Sequence, residues 1–150
     1  VTRRLFVAAW LPEAVRPEVA ELLERLRERE ERVRWVSPGN LHVTLAFLGD
    51  VEEPRTADVI ARIEAALEDA RAFPIRTGRL GTFPPRGEPR VVWLSIGEGA
   101  KEIAALASRV ERTLVAGGHL APSTRPFAAH VTLGRPKGAR GFGRLTDFLA

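Results

Sequence analysis

The chain contains no cysteine and no methionine in 150 residues, and only two lysines, Lys101 and Lys137. Without cysteine there is no disulfide framework, no thiolate nucleophile and no cysteine-ligated zinc. Subtracting the two lysines from the 23 basic residues leaves 21 arginines against 19 acidic residues, for a net charge of +4. A compositional bias of the source genome accounts for that total, although the planar guanidinium fork also suits phosphate. The modest positive charge permits an anionic partner without demanding one. Long apolar runs are missing too. The opening "VTRRLFVAAWLPEAV" sets two arginines before an apolar stretch, as a leader would, but Pro12 and Glu13 interrupt it. Nothing reaches the roughly 18 apolar residues that a membrane span needs. The expectation is a cytoplasmic protein with no membrane partner, whose N-terminal segment is a buried strand.

A hydrophobic content of 45% with 28% charged residues is that of a folded globular chain. The apolar pattern predicts a strand over residues 4–10. Val15, Val19, Leu22, Leu23 and Leu26 then fall on one face of a helix, and the charged tail "ERLREREERVR" reads as its solvated side. The turn Ser37-Pro38-Gly39-Asn40 releases a strand over 41–48 that Gly49-Asp50 should end. A second helix is predicted over 54–70, with Val59, Ile60, Ile63 and Leu67 inward. Strands near 73–80 and 90–96 follow, joined by "GTFPPRGEPR". A third helix over 100–116 points Ile103, Leu106, Val110 and Leu114 inward and stops at Gly117-Gly118. No Ser/Gly-rich linker divides the chain, so residues 1–150 are expected to form one α+β domain of two similar lobes, mostly antiparallel.

Two of the three histidines occur in the same tetrapeptide, His-Val-Thr-Leu, at 42–45 and again at 130–133. Strand alternation puts His42 and Thr44 on one face and Val43 and Leu45 on the other; His130 and Thr132 repeat the arrangement. Packing alone would explain a repeated valine and leucine, not a repeated histidine and threonine. Two imidazoles supply what phosphodiester cleavage needs. One, neutral, takes a proton from the attacking oxygen, and the other, protonated, gives one to the departing oxygen. The threonine hydroxyls can donate to non-bridging phosphate oxygens, where charge accumulates. The residues alone leave open which imidazole does which. His119, in "AGGHLAPSTRP", has no threonine partner; it is assigned no role, and its spacing supports no three-histidine metal site.

On these motifs the chain resembles the two-histidine phosphoesterases, and among them the RNA 2′,3′-cyclic phosphodiesterases, also called 2′-5′ RNA ligases. The blocks "RLFVAAWLPEAVR", "LHVTLAFLGDV", "GTFPPRGEPRVVWL" and "RPFAAHVTLGR" follow the family's order, from about Arg4 to Arg135. The resemblance implies two lobes related by a pseudo-twofold axis, with the His-x-Thr strands lining a central groove. It implies hydrolysis of an RNA terminal 2′,3′-cyclic phosphate, or of related small cyclic nucleotides, to a 2′-phosphomonoester without metal or cofactor. It also implies His42 as proton donor and His130 as proton acceptor, with Thr44 and Thr132 beside them and Arg135 in contact with the phosphate or substrate. Alternation turns Arg135 away from His130 unless a bulge or strand end intervenes near Gly134. Phe47 and Phe83 are candidates for stacking on a base, although aromatic burial favours a core position for Phe47. Ala129 stands where the family often has proline. With fifteen residues after Arg135, the C-terminal lobe is expected to lack an edge strand. A monomer is expected. Two alternatives stay open: an RNA-end binding module without turnover, and reversible 2′-5′ ligation, which the excess of water disfavours.

Overall fold

A computed structural model gives the fold of residues 1–138; the edge-strand question falls on residues outside these. Six strands and three helices run in the order β1 (Thr2–Trp10), α1 (Arg16–Arg29), β2 (Val33–Trp35), β3 (His42–Glu52), α2 (Thr56–Leu67), β4 (Thr77–Phe83), β5 (Val91–Ile96), α3 (Ala100–Ala116) and β6 (His130–Pro136). The β2/β6, β3/β6, β4/β5 and β5/β6 ladders are all antiparallel. The fold is α+β with mostly antiparallel pairing. No helix of the described residues is long and apolar enough to cross a membrane.

The chain gathers into two compact units, each drawn from three separate stretches, so the division does not follow the sequence halves. One unit holds Val1–Ala9, Thr44–Pro74 and Glu98–Ala129. In it β1 neighbours β3, and α2 packs on α3. Val59 from α2 and Ile103, Ala107, Val110 and Leu114 from α3 are buried, as helical spacing requires. The expected inward position of Ile60 is corrected: it is 51% exposed, one residue round the helix from Val59 and outside the buried stripe. The exit of α3 is a Schellman turn. Gly118 sits at φ +72°, its N–H donates to the Val115 carbonyl, and His119 N–H donates to the Leu114 carbonyl.

Two further expectations are revised in this unit. The N-terminal strand is not buried. β1 has β3 as its neighbour and stands at the end of the strand order, so Arg4, Phe6 and Ala8 are exposed while Leu5 and Val7 are half-buried. Nor does β3 stop at Gly49-Asp50. Gly49 takes φ +72°, a conformation open to glycine without a Cβ clash, and the strand continues to Glu52.

The second unit holds Trp10–Val43, Ile75–Gly97 and the described residues that follow from His130. β6 is its spine, pairing with β5 along one edge and with β2 and Val43 of β3 along the other. Leu11, Val19, Leu23, Leu26, Val33, Leu41, Val43, Val92, Leu94, Val131 and Leu133 form its core. β2 was hidden in the charged tail that reads as solvated helix. Glu30 ends α1 there with its carboxylate buried, accepting from the Arg32 backbone N–H and guanidinium at 2.9 Å, and this turn launches the strand. A three-residue strand has too few residues to display a period; its pairing with β6 is what defines it.

Candidate active site

The repeated tetrapeptide works as two anchored strands. Val43 and Leu45 in β3, and Val131 and Leu133 in β6, are buried, whereas His42, Thr44, His130 and Thr132 are half-buried on the other side. Val43 pairs with Val131. The antiparallel register therefore sets His42 opposite Thr132, with His130 two residues along the same face. The backbones of diagonal neighbours of this kind lie on the order of 7 Å apart, within reach of two long side chains on one face. Thr44 is two residues beyond His42 on β3, where the chain enters the first unit.

Each imidazole is held by its surroundings. His42 Nδ1 lies 2.7 Å from the Asn40 carbonyl oxygen. A carbonyl only accepts, so Nδ1 carries hydrogen and the proton that His42 gains or gives is on Nε2. The Leu11 N–H donates to the Leu41 carbonyl at 3.0 Å, with both leucine side chains buried. Trp10 and His42, the neighbours of that pair, thus stand side by side with ring centroids 6.1 Å apart, edge to face. His130 meets the Phe83 ring edge-on at 5.5 Å and Trp93 at 6.4 Å, and Phe83 also tilts against Trp93 at 5.1 Å. Trp93 is opposite Thr132 in the β5/β6 ladder. The Phe83-Pro84 peptide is cis.

The expected bulge is present. Trp93 pairs with Thr132 but Val92 pairs with Gly134, leaving Leu133 as an extra residue on β6. Gly134 thereby joins the core side opposite buried Val92, and Arg135 comes to the side of His130 and Thr132. Within one unit the fold thus assembles His42, His130, Thr132, Phe83 and Arg135, joined by Trp10 and Trp93. Phe47 is in the other unit and is not a core residue: it is 53% exposed, with the Arg4 guanidinium 5.3 Å over its ring. Sequence reading missed Trp10 and Trp93. Their place every second residue in strands was visible; which histidine each would touch depends on strand pairing.

His119 belongs to the first unit. Its side chain is 2% exposed and Nε2 lies 2.6 Å from Asp58 Oδ2. The His119 hydrogen bond, and after it Arg62, hold the Asp58 carboxyl below the ordinary value. This cluster ties α2 to the exit of α3. Among the described residues no group of three or more His, Cys, Asp or Glu is placed to hold a metal.

An antiparallel α+β fold that pairs two His-x-Thr strands defines a two-histidine phosphoesterase. Residues 10–93 match the family described as LigT-like phosphoesterase, and the chain belongs to that family. Among curated proteins, an RNA 2′,3′-cyclic phosphodiesterase of Aquifex aeolicus is 34% identical over 134 residues, 89% of this chain and 71% of that protein. Among solved structures, TT0787 of Thermus thermophilus is similar with a TM-score of 0.77 at 30% identity, covering 93% of this chain and 77% of its own. Escherichia coli LigT complexed with 3′-AMP is similar with a TM-score of 0.63 at 28% identity, over 93% of this chain and 76% of its own.

Proposed function

We propose that this protein is a hydrolase that opens RNA terminal 2′,3′-cyclic phosphates to 2′-phosphomonoesters by paired-histidine acid/base catalysis, without metal or cofactor. The observation that carries the reading is the diagonal placement of His42 and His130 about the Val43 and Val131 pair. The activity named for the Aquifex relative and the nucleotide held by Escherichia coli LigT support it. In this mechanism the His130 imidazole takes a proton from water as the water oxygen bonds to phosphorus. The bond from phosphorus to O3′ breaks, and His42 Nε2 delivers its proton to O3′. The products are a 2′-phosphomonoester and a 3′-hydroxyl, and each imidazole ends in the other's starting charge state. Thr132, and Thr44 beyond His42, donate to the non-bridging oxygens, where a well-placed donor contributes about 10²-fold or more in rate. Arg135 neutralises the phosphate, Phe83 offers a ring to the terminal base, and Phe47 is assigned the same kind of stacking because it is exposed.

Incubation with a cyclic-ended oligonucleotide, followed by product analysis, tests both activity and the bond that opens. The expected product is the 2′-phosphomonoester, with His42→Ala and His130→Ala each abolishing turnover in folded protein. Retained turnover in either variant refutes the chemistry, and binding without product favours an RNA-end binding module.

A further inference from the structure

Two arginines face each other on the ladder next to the paired histidines. The β2/β6 register sets Arg34 directly opposite Arg135, and both are exposed. Neither enters an ion pair among the described residues. The Val36 N–H donates to the Leu133 carbonyl and the Lys137 N–H to the Arg32 carbonyl, each at 2.8 Å. Hydrogen-bonded positions alternate along an antiparallel ladder, so the arginine pair occupies the bonded position between them. Pro136, which has no N–H, falls where none is needed. The strands are therefore firmly registered, and they hold like charges in direct opposition, an arrangement that by itself destabilises a sheet.

The side on which these charges lie is the catalytic side. The bulge at Leu133 turns Arg135 to the face of His130 and Thr132. Arg34 lies between Val33, which is buried, and Trp35, whose ring abuts Gly134, so alternation sends it to the same face. Lys137, exposed and two residues past Arg135, continues the line. Of the acids ahead of β2, Glu30 is already engaged by Arg32 at 2.9 Å, and Glu28 and Glu31 pair with neither Arg34 nor Arg135 among the described residues. A row of cations thus leads away from Thr132 along one ladder, and guanidinium forks match phosphate oxygens two at a time.

We infer that this face of β2 and β6 is a phosphate-binding track for the RNA strand leading to the cyclic end, with Arg34 a specificity-determining residue. The inference rests on the hydrolase reading above and narrows its substrate to a polynucleotide. A strand carries an internal phosphodiester next to the reacting group; a cyclic mononucleotide carries none.

The test compares kcat/KM for a short cyclic-ended oligouridylate with that for 2′,3′-cyclic UMP, over a salt series, in wild-type protein and R34Q. Wild-type protein should favour the oligonucleotide, and R34Q should lower that ratio about tenfold. The slope of log(kcat/KM) against log salt should shrink by about 0.7, the value for one single-strand phosphate contact. R34K, which keeps the charge, should keep the slope. The melting temperature of R34Q should match or exceed that of wild type at low salt, because the opposed charge is relieved; a structural arginine would lower it. An unchanged ratio and slope in active R34Q overturn the track alone. Should wild-type protein cleave neither substrate, the hydrolase reading fails. Anisotropy with a 2′-phosphate-ended oligouridylate then decides the track separately: a smaller salt slope in R34Q upholds it, and an equal slope overturns it.

Discussion

Thr132 lies across the ladder from His42 and beside His130 on its own strand, and the proposed mechanism uses its hydroxyl as a donor to a phosphoryl oxygen. Thr132→Val keeps the β-branched shape and removes the donor. It is expected to lower kcat about a hundredfold with a smaller change in KM, and steady-state kinetics on a cyclic-ended RNA reads the difference. Asp58 makes a second prediction at this scale. His119 and then Arg62 depress its carboxyl, so folding favours the ionised form. That stabilisation is complete above the ordinary aspartate value of about 4 and is lost as pH falls through the lower folded value. Asp58→Asn should therefore melt below wild type at neutral pH, with the gap closing in acid as wild type loses the same interaction. A gap that widens in acid would contradict the assignment. Of the residues named here, His42, His130 and Thr132 were legible because they belong to the repeat. Arg34 and Trp10 were not, because nothing in one strand marks which residue of another will face it.

At the scale of elements, the site depends on how β2 locks onto β6. Gly134 lies in that lock: an added Cβ would stand 2.6 Å from Val33 Cγ1, 2.7 Å from Trp35 Cε3 and 3.1 Å from the Arg34 carbonyl oxygen. The backbone oxygen cannot swing aside as a flexible side chain could. Gly134→Ala is expected to cost about 1–3 kcal/mol, as overpacking does, or several degrees in melting temperature at about 2–4 °C per kcal/mol for a chain of this size. An unchanged melting temperature would mean that the strands part without cost. The helices were readable from their 3.6-residue period, and α3 matches the expected 100–116. The edges were less so. β2 was masked by the charge around it, and β3 outran its glycine because Gly49 bends within the strand.

For the molecule as a whole, catalysis is assigned to groups that the chain itself supplies. Exhaustive dialysis against a chelator is expected to leave turnover of a cyclic phosphate unchanged. A loss that added divalent metal restores would overturn the paired-histidine mechanism. The two units are each threaded from three stretches of chain, and β1 and β3 contribute to both. The small shared segment Trp10 with His42 and Val43 therefore belongs to the unit that carries His130, while Thr44 and the rest of β3 belong to the other.

Chemistry local to the chain settles much of this protein. Helical period, the glycine stop of α3 and a duplicated His-x-Thr alternation are properties of neighbours along the chain, fixed by backbone and side-chain geometry over a few residues. Pairing across strands was decided elsewhere. The Val43 and Val131 register, the extra residue at Leu133 and the opposition of Arg34 to Arg135 arise when distant segments compete to bury their valines and leucines. One residue of slip there would have turned a different set of side chains toward the phosphate.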